Sequence, residues 1–147
     1  MKLQRTDISL PTDPLNERSA LGACLLGQAR EIARSLRADD FSLAANQEIF
    51  AAICSMIERG ETVIEVSLLA AELRSRGVLD AVGGIPYLED LDRGVVTETK
   101  LESRVRVLRG LADRRRLLKT AAEVERRALD LTMPASATIG WLREVVR

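Results

Sequence analysis

The chain has 147 residues, of which 46% are hydrophobic and only 3% aromatic, so a core has to be built mainly from Leu, Ala, Val and Ile. Its 22 basic and 22 acidic residues give a formal net charge of +0, which does not favour a general polyanion-binding protein. The absence of histidine excludes Ser-His and Cys-His catalytic pairs and the usual histidine-containing zinc motifs.

Residues 1–13 are predicted to form a flexible N-terminal arm, because the segment is polar and contains Pro11. It lacks the apolar core of a signal peptide, and no apolar run in the chain approaches the length of a membrane span. We therefore expect a cytoplasmic protein with no membrane association. Asp13 and Pro14 predict a helix start, with Asp13 as the N-cap and Pro14 in the first turn.

Residues 14–96 are predicted to form a globular helical domain, because helical apolar spacing alternates there with turn signals. The expected helices are Leu15–Leu26, Gln28–Leu36, Ala44–Arg59, Val66–Arg76 and Ile85–Leu91. Leu15 and Leu68 are predicted to face inward, and Phe41 is expected to anchor a connecting loop. Cys24 and Cys54 lie in apolar helical patterns and are predicted to be buried free thiols.

Residues 97–147 are predicted to form a helical hairpin that begins with one long helix, Thr97–Leu131, capped by Thr97 or Thr99. At 1.5 Å per residue such a helix reaches roughly 50 Å, about twice the width of a small domain. Its apolar residues follow a helical spacing, and after a jog they form a coiled-coil-like seam of Leu117, Ala121, Val124, Ala128 and Leu131. The seam predicts an oligomerisation arm; the alternative is a helix that folds onto its own core or breaks at Gly110.

Ala137–Val146 is predicted to be an amphipathic returning helix capped by Ser136. Its apolar residues, including Ile139 and Val146, are expected to fold back against the long helix. Trp141 in this helix has two interpretations: it packs inside the hairpin, or it anchors a partner subunit. The candidate interface is therefore the seam together with Trp141 and Leu142.

Basic residues dominate the stretch 104–119, where Asp113 is the single acid. Its candidate contacts to phosphate or to an acidic partner are Arg109, Arg114, Arg115 and Arg116. The alternative is a solvated helix face. A nucleic-acid-binding helical module that uses this cluster is accordingly a second functional hypothesis, although aromatic residues for stacking on bases are scarce.

An ordered set of short motifs resembles the amino-terminal domain of bacterial replicative DNA helicases, the DnaB family. The set spans roughly Leu10–Leu118 and includes Glu58-Arg59-Gly60-Glu61, the stretch from Leu73 to Leu88 that reads LRSRGVLDAVGGIPYL, and the stretch from Ala112 that reads ADRRRLL. The chain departs from the family pattern at Asn46, where a histidine is usual, at Ser103 and Arg104, where aromatic residues are frequent, and at Glu65, where an aspartate is common.

This resemblance implies an all-α fold, a compact orthogonal helical bundle followed by an extended helical hairpin. It also implies self-association as a dimer, in the full helicase as a trimer of dimers, with docking of the primase C-terminal domain and of a helicase loader. ATP and Mg²⁺ would belong to a separate motor domain, since this sequence lacks a GxxxxGK[ST] motif. No catalytic, cofactor-binding or metal-binding residue is assigned, and DNA contact is expected to be weak or indirect. The similar helicase-binding domain of primase is a further alternative.

Overall fold

The structure, a computed structural model, describes residues 9–93 and 100–147. The chain forms two compact units, one of Thr12–Ala112 and the other combining Met1–Pro11 with Asp113–Arg147. Most of the predicted arm, the predicted division at 96/97 and the predicted caps Thr97 and Thr99 lie outside the described residues. The three-part domain division therefore stays a prediction.

The described residues form helices and turns without a strand, which confirms the predicted all-α fold of a helical bundle followed by a helical hairpin. The helices are α1 Pro14–Ala23, α2 Ala29–Ser35, α3 Ala44–Glu58, α4 Val66–Ser75, α5 Gly84–Arg93, α6 Leu101–Leu129 and α7 Ala135–Val145. A short 3₁₀ turn, Ala38–Asp40, connects α2 to α3.

The start of α1 is as predicted, because Asp13 Oδ1 accepts a hydrogen bond of 3.1 Å from the backbone N–H of Asn16 and Pro14 is the first helical residue. The helix ends at Ala23, before the predicted end at Leu26. The reason is a kinked turn in which Leu26 and Gly27 leave helical geometry. Gly27 has φ +95°, a conformation that glycine adopts without steric cost, and α2 begins two residues later.

The end of α3 is also set by a glycine. Gly60 has φ +97°, its N–H donates to the Ile57 carbonyl at 2.9 Å, and the N–H of Glu61 donates to the Met56 carbonyl at 3.0 Å. This pair of bonds is the Schellman arrangement, which satisfies carbonyls left open at a helix end. The predicted boundary at Arg59 is therefore correct to within one residue.

The core of the Thr12–Ala112 unit forms where α1 packs against α3 and α5, and where α4 packs against the same two helices. The Phe41 ring is buried 4.9 Å from that of Phe50, which confirms Phe41 as a loop anchor. The inward placements of Leu15 and Leu68 were wrong, since both side chains are exposed. Cys24 is a buried free thiol and Cys54 is half-buried, and burial raises the pKa of both thiols.

Glu17 occupies the inward position of the first turn of α1 and is only 1% exposed. Its carboxylate accepts hydrogen bonds from the backbone N–H of Ser42 and, at 2.9 Å, from the Ser42 hydroxyl. A buried carboxylate needs such donors, and Ser42 lies just before α3 where backbone donors are not yet used by the helix. The bond therefore connects α1 to the start of α3 and leaves Leu15 facing outward.

A second buried polar contact connects α3 to α5. The Tyr87 hydroxyl donates to Asn46 Oδ1 at 2.7 Å, and the Arg18 guanidinium lies 5.7 Å from the centre of the Tyr87 ring. Burial is the main cause that raises the pKa of Tyr87. Asn46 is fully buried, and its Nδ2 has no hydrogen-bond partner within the described part of the chain.

α6 is continuous through Gly110, so the alternative of a break at that residue was wrong. Its 29 residues correspond to about 43 Å of helix.

α7 begins at Ala135 with Pro134 at the N-cap position, so the predicted cap Ser136 is inside the helix instead. Among the described residues, no helix is long and apolar enough to cross a membrane.

Candidate interaction surface

The seam predicted on the second half of α6 is largely open to solvent. Leu117 is 67% exposed and Leu131 is 96% exposed, Ala121 and Ala128 are exposed as well, and Val124 is half-buried. At 100° per residue Leu117, Ala121, Val124 and Ala128 share one face of the helix. Leu131 lies two residues after the helix end at Leu129. An apolar stripe of this kind, uncovered within its own chain, is a candidate interaction surface.

Trp141, by contrast, packs within its own hairpin. The guanidinium of Arg127 on α6 lies 4.4 Å from the centre of the Trp141 ring, and both Trp141 and Leu142 are half-buried. Close stacking of a guanidinium on an indole is an attractive contact. This contact favours the first of the two interpretations of Trp141, and an interface role for Trp141 and Leu142 stays a prediction.

The turn of the hairpin carries two local polar contacts. Asp130 accepts from the backbone N–H of Thr132 at 3.0 Å and from its hydroxyl at 2.6 Å, and the buried Thr138 hydroxyl lies 3.6 Å from the Met133 sulfur. The hydrogen bonds from Thr132 lower the pKa of Asp130. These contacts hold the chain where α6 gives way to α7.

α7 has an exposed apolar stripe in which Leu142 was predicted to belong to the candidate interface and the other two residues were not. Ile139 and Val146 are exposed and Leu142 is half-buried, so three apolar residues follow at intervals of three and four. The predicted packing of Ile139 and Val146 against the long helix was wrong, since both side chains are exposed. The spacing of Ile139 and Val146 relative to Leu142 could have indicated this second stripe in the sequence. Trp141 and Leu142 are neighbours that point in different directions around the helix, so they cannot both face the centre of one narrow contact.

Glu123 binds two arginines of α6 beside this surface. Its carboxylate accepts from Arg126 at 2.7 and 2.8 Å and from Arg127 at 2.7 Å. Hydrogen bonds from Arg126 and then from Arg127 lower the pKa of Glu123 to about 2. Because Arg127 also stacks on Trp141, the carboxylate indirectly fixes the arginine that joins the two helices of the hairpin.

The four candidate arginines have different surroundings. Arg114 is exposed, Arg116 pairs with Asp113 at 3.0 Å, and Arg115 is only 8% exposed and donates to the Pro11 carbonyl at 3.0 Å. In the Thr12–Ala112 unit, Arg109 is exposed. Phosphate or acidic-partner contact stays a prediction for this set, and Arg115 has a structural contact that the sequence analysis did not identify.

The family model described as the DnaB-like helicase N-terminal domain matches residues 9–110 of the chain. Among curated proteins, the chain is 34% identical over 110 residues to the replicative DNA helicase DnaB of Geobacillus stearothermophilus, covering 74% of the chain and 24% of that protein. It is also 34% identical over 116 residues to the DnaB of Mycobacterium leprae, covering 78% of the chain and 19% of that protein. The chain thus spans about a quarter or less of these two relatives.

Solved structures agree with this assignment. The crystal structure of the N-terminal domain of DnaB helicase from Mycobacterium tuberculosis matches with a TM-score of 0.82 at 28% identity, covering 94% of this chain and 98% of that chain. A structure of a DnaB-like replicative helicase and its interactions with primase matches with a TM-score of 0.73 at 20% identity, covering 90% of this chain and 30% of that chain. All of these matches are to helicases, so the alternative of a primase domain was wrong.

Proposed function

The chain belongs to the family of DnaB-like helicase N-terminal domains, and from this premise we propose that it acts in DNA replication as the ring-assembly and docking module of a replicative helicase. The observation that carries the proposal is the exposed seam of α6, from Leu117 to Leu131. An apolar stripe with a coiled-coil spacing gains stability when a second helical surface covers it.

The partner that we propose for the seam is a second copy of the chain. Two copies would form a dimer through their hairpins, and in the full helicase three dimers would form a trimer of dimers. The apolar character of the seam supports this proposal, because interfaces of homodimers are more apolar than the average protein surface. The charged residues of the hairpin, such as Arg126 paired with Glu123, lie outside the seam.

We further propose that the assembled module docks the C-terminal domain of primase and a helicase loader, in the cytoplasm. The support is the family itself and a fold shared with a helicase that interacts with primase. ATP and Mg²⁺ are assigned to the motor domain of a helicase and not to these 147 residues. DNA contact by this chain is assigned a weak or indirect role, through the exposed Arg109 and Arg114.

Self-association is tested by sedimentation velocity on Leu117→Asp. Leu117 is exposed, so the substitution leaves the core intact, while a carboxylate placed in a covered apolar seam has no partner. We expect the dimer dissociation constant to rise at least tenfold. The matched control is Leu129→Asp, because Leu129 is 73% exposed on the same helix but lies about 120° away from Leu117 around the axis.

Two outcomes would contradict the seam proposal. One is a wild-type chain that stays monomeric at about 100 µM; the other is a Leu117→Asp variant that dimerises as well as Leu129→Asp.

Docking is tested separately, by calorimetric titration of the chain with the primase C-terminal domain at moderate salt. We expect saturable binding at a fixed ratio. No binding by a folded, dimeric chain would refute docking to this module and leave self-association standing.

A further inference from the structure

An open groove lies between α1 and the start of α6, and every residue that lines it belongs to the Thr12–Ala112 unit. Its volume is about 410 Å³, within the range of roughly 300–1,000 Å³ that holds small ligands. On α1 the groove is lined by Leu15 in the first turn. On the other side it is lined by Lys100, directly before α6, and by Arg104 and Val107, at the intervals of four and three that define one face of a helix.

The groove contains two exposed aliphatic side chains. Leu15 is 76% exposed and Val107 is 43% exposed. Leu101 and Val105, in the same part of α6, pack against the core instead. The face that holds the start of α6 in place is therefore not the face that lines the groove. Leu15 and Val107 would gain stability from a ligand that removes them from water.

Positive charge is in excess in this groove. Lys100 and Arg104 contribute two cations, and Asp13 contributes the one carboxylate among the lining residues. Both oxygens of Asp13 are already bonded at the start of α1, since Oδ1 accepts from the Asn16 backbone N–H at 3.1 Å and Oδ2 accepts from the Asn16 side chain at 2.9 Å. A ligand that carries carboxylates is therefore complementary in charge to the groove.

We propose that this groove binds a short acidic segment of a partner protein, with carboxylates at Lys100 and Arg104 and an aliphatic side chain against Leu15 and Val107. A free phosphate ion would satisfy the cations but leave the aliphatic side chains in water. Single-stranded nucleic acid gains affinity from aromatic residues on which its bases stack, and none lines the groove. The proposal does not rest on the proposed function, because the seam belongs to the other compact unit.

The test is a titration of the whole ¹⁵N-labelled chain with the peptide acetyl-Glu-Asp-Leu-Asp-Leu-amide, in which the backbone amide shifts are measured by NMR. We expect saturable shifts at Leu15, Asn16 and Val107, with a dissociation constant below about 1 mM. A neutral peptide, in which Gln and Asn replace the acidic residues, should bind about fivefold more weakly or less well still. A peptide in which Ser replaces both leucines should lose affinity by a similar factor.

Variants of the chain test the two halves of the contact. Arg104→Gln and Lys100→Gln should each weaken peptide binding by about three- to fivefold. Their matched control is Arg106→Gln, which removes the same charge about 160° away from Arg104 around the helix axis. Leu15→Ser should also weaken binding about threefold or more. Its control is Leu68→Ser, because Leu68 is an exposed leucine in the first turn of α4, as Leu15 is in the first turn of α1. Circular dichroism verifies that each variant is folded.

Three results would overturn the proposal: no saturable shifts with the acidic peptide, equal binding of the neutral peptide, or equal weakening by Arg104→Gln and Arg106→Gln. The same shifts at lower concentrations of inorganic phosphate or of oligothymidylate would assign the groove to a phosphate ion or to nucleic acid, and would overturn it too. Leu117→Asp, which tests the seam, should leave peptide binding unchanged. Failure of the seam and failure of the groove are therefore separate results.

Discussion

At the scale of single residues, Glu17 is the buried carboxylate on which the packing of α1 against the start of α3 depends. Glu17→Ala removes the acceptor for both the Ser42 N–H and the Ser42 hydroxyl. We expect the free energy of unfolding to fall by about 2–3 kcal/mol, the usual cost of leaving buried partners of a charged group unsatisfied. Urea denaturation followed by circular dichroism measures this loss.

The matched control is Glu31→Ala. Glu31 stands in the first turn of α2 as Glu17 stands in the first turn of α1, so both substitutions remove the same interaction with the helix dipole, but Glu31 is exposed. Its loss should cost less than about 0.5 kcal/mol. Equal losses for the two variants would show that the contact with Ser42 contributes nothing of its own.

Glu17 and Arg115 also show where local sequence reasoning stops. Helical spacing identified Cys24 as buried, and Phe41 was correctly expected to anchor a loop, because apolar residues in such patterns report burial directly. It could not identify a buried charge, since the partners Ser42 and Pro11 lie 25 and 104 residues away and no local pattern announces them. Glu17 and Arg115 each lie on the buried face of their helix. The apolar pattern of the sequence assigned that position to another residue or to none.

At the scale of elements, the hairpin contains a pH-dependent contact with its own optical reporter. Trp141 is the single tryptophan of the chain and stacks with Arg127, which Glu123 holds. The pKa of Glu123 is lowered from 4.5 to about 2, so its carboxylate contributes stability that is fully present above about pH 4.5 and is lost as the pH falls towards 2. The emission of Trp141 should therefore shift in that window.

Glu123→Gln provides the comparison for this titration. The amide cannot ionise, so its Trp141 emission should stay constant from pH 5 to pH 2 and resemble that of the acidified wild type. Circular dichroism over the same range reports whether the helices persist. A shift of equal size in Glu123→Gln would assign the titration to another carboxylate, for example Asp130, whose pKa is also lowered.

The ends of the helices could be predicted where the sequence contains capping or helix-terminating residues. Asp13 with Pro14 and the glycine at Gly60 set helix ends that the structure confirms to within one residue. The end of α1 was missed because the turn Cys24–Gln28 that follows it has a π-helical hydrogen-bond pattern, and the sequence marks only its kink at Leu26 and Gly27. The start of α7 was missed because Pro134 already provides an extended residue there, so the Ser136 hydroxyl is not needed as a cap.

At the scale of the whole molecule, salt separates the two kinds of surface that α6 carries. The seam is apolar, so the dimer dissociation constant should change less than threefold between 50 and 500 mM NaCl. Binding of single-stranded DNA through Arg109 and Arg114 would instead weaken steeply over that range, because each phosphate contact releases counterions. Sedimentation and fluorescence anisotropy on the same samples measure both. If the dimer dissociation constant rose steeply with salt, the result would contradict the seam as the interface and would assign the interface to the arginines instead.

The seam has one further property, which concerns its order of residue sizes. Read from Leu117 to Leu131 the side chains run large, small, medium, small, large, and Val124 stands seven residues from each end. A stripe of this kind reads nearly the same in both directions. Two antiparallel copies related by a two-fold axis at Val124 therefore place each Leu117 beside the Leu131 of the other copy, while a parallel pair places like with like.

Because the order of side-chain sizes is nearly symmetric, the relative direction of the two helices can be measured by disulfide trapping. The experiment uses a chain with Cys24 and Cys54 replaced by Ala and Ser. Val124→Cys should cross-link to its own copy, Leu117→Cys alone should not, and a mixture of Leu117→Cys with Leu131→Cys should. Cross-linking of Leu117→Cys with itself would mean a parallel pair. The order of five side chains would then encode not only that two copies meet but which way each one points.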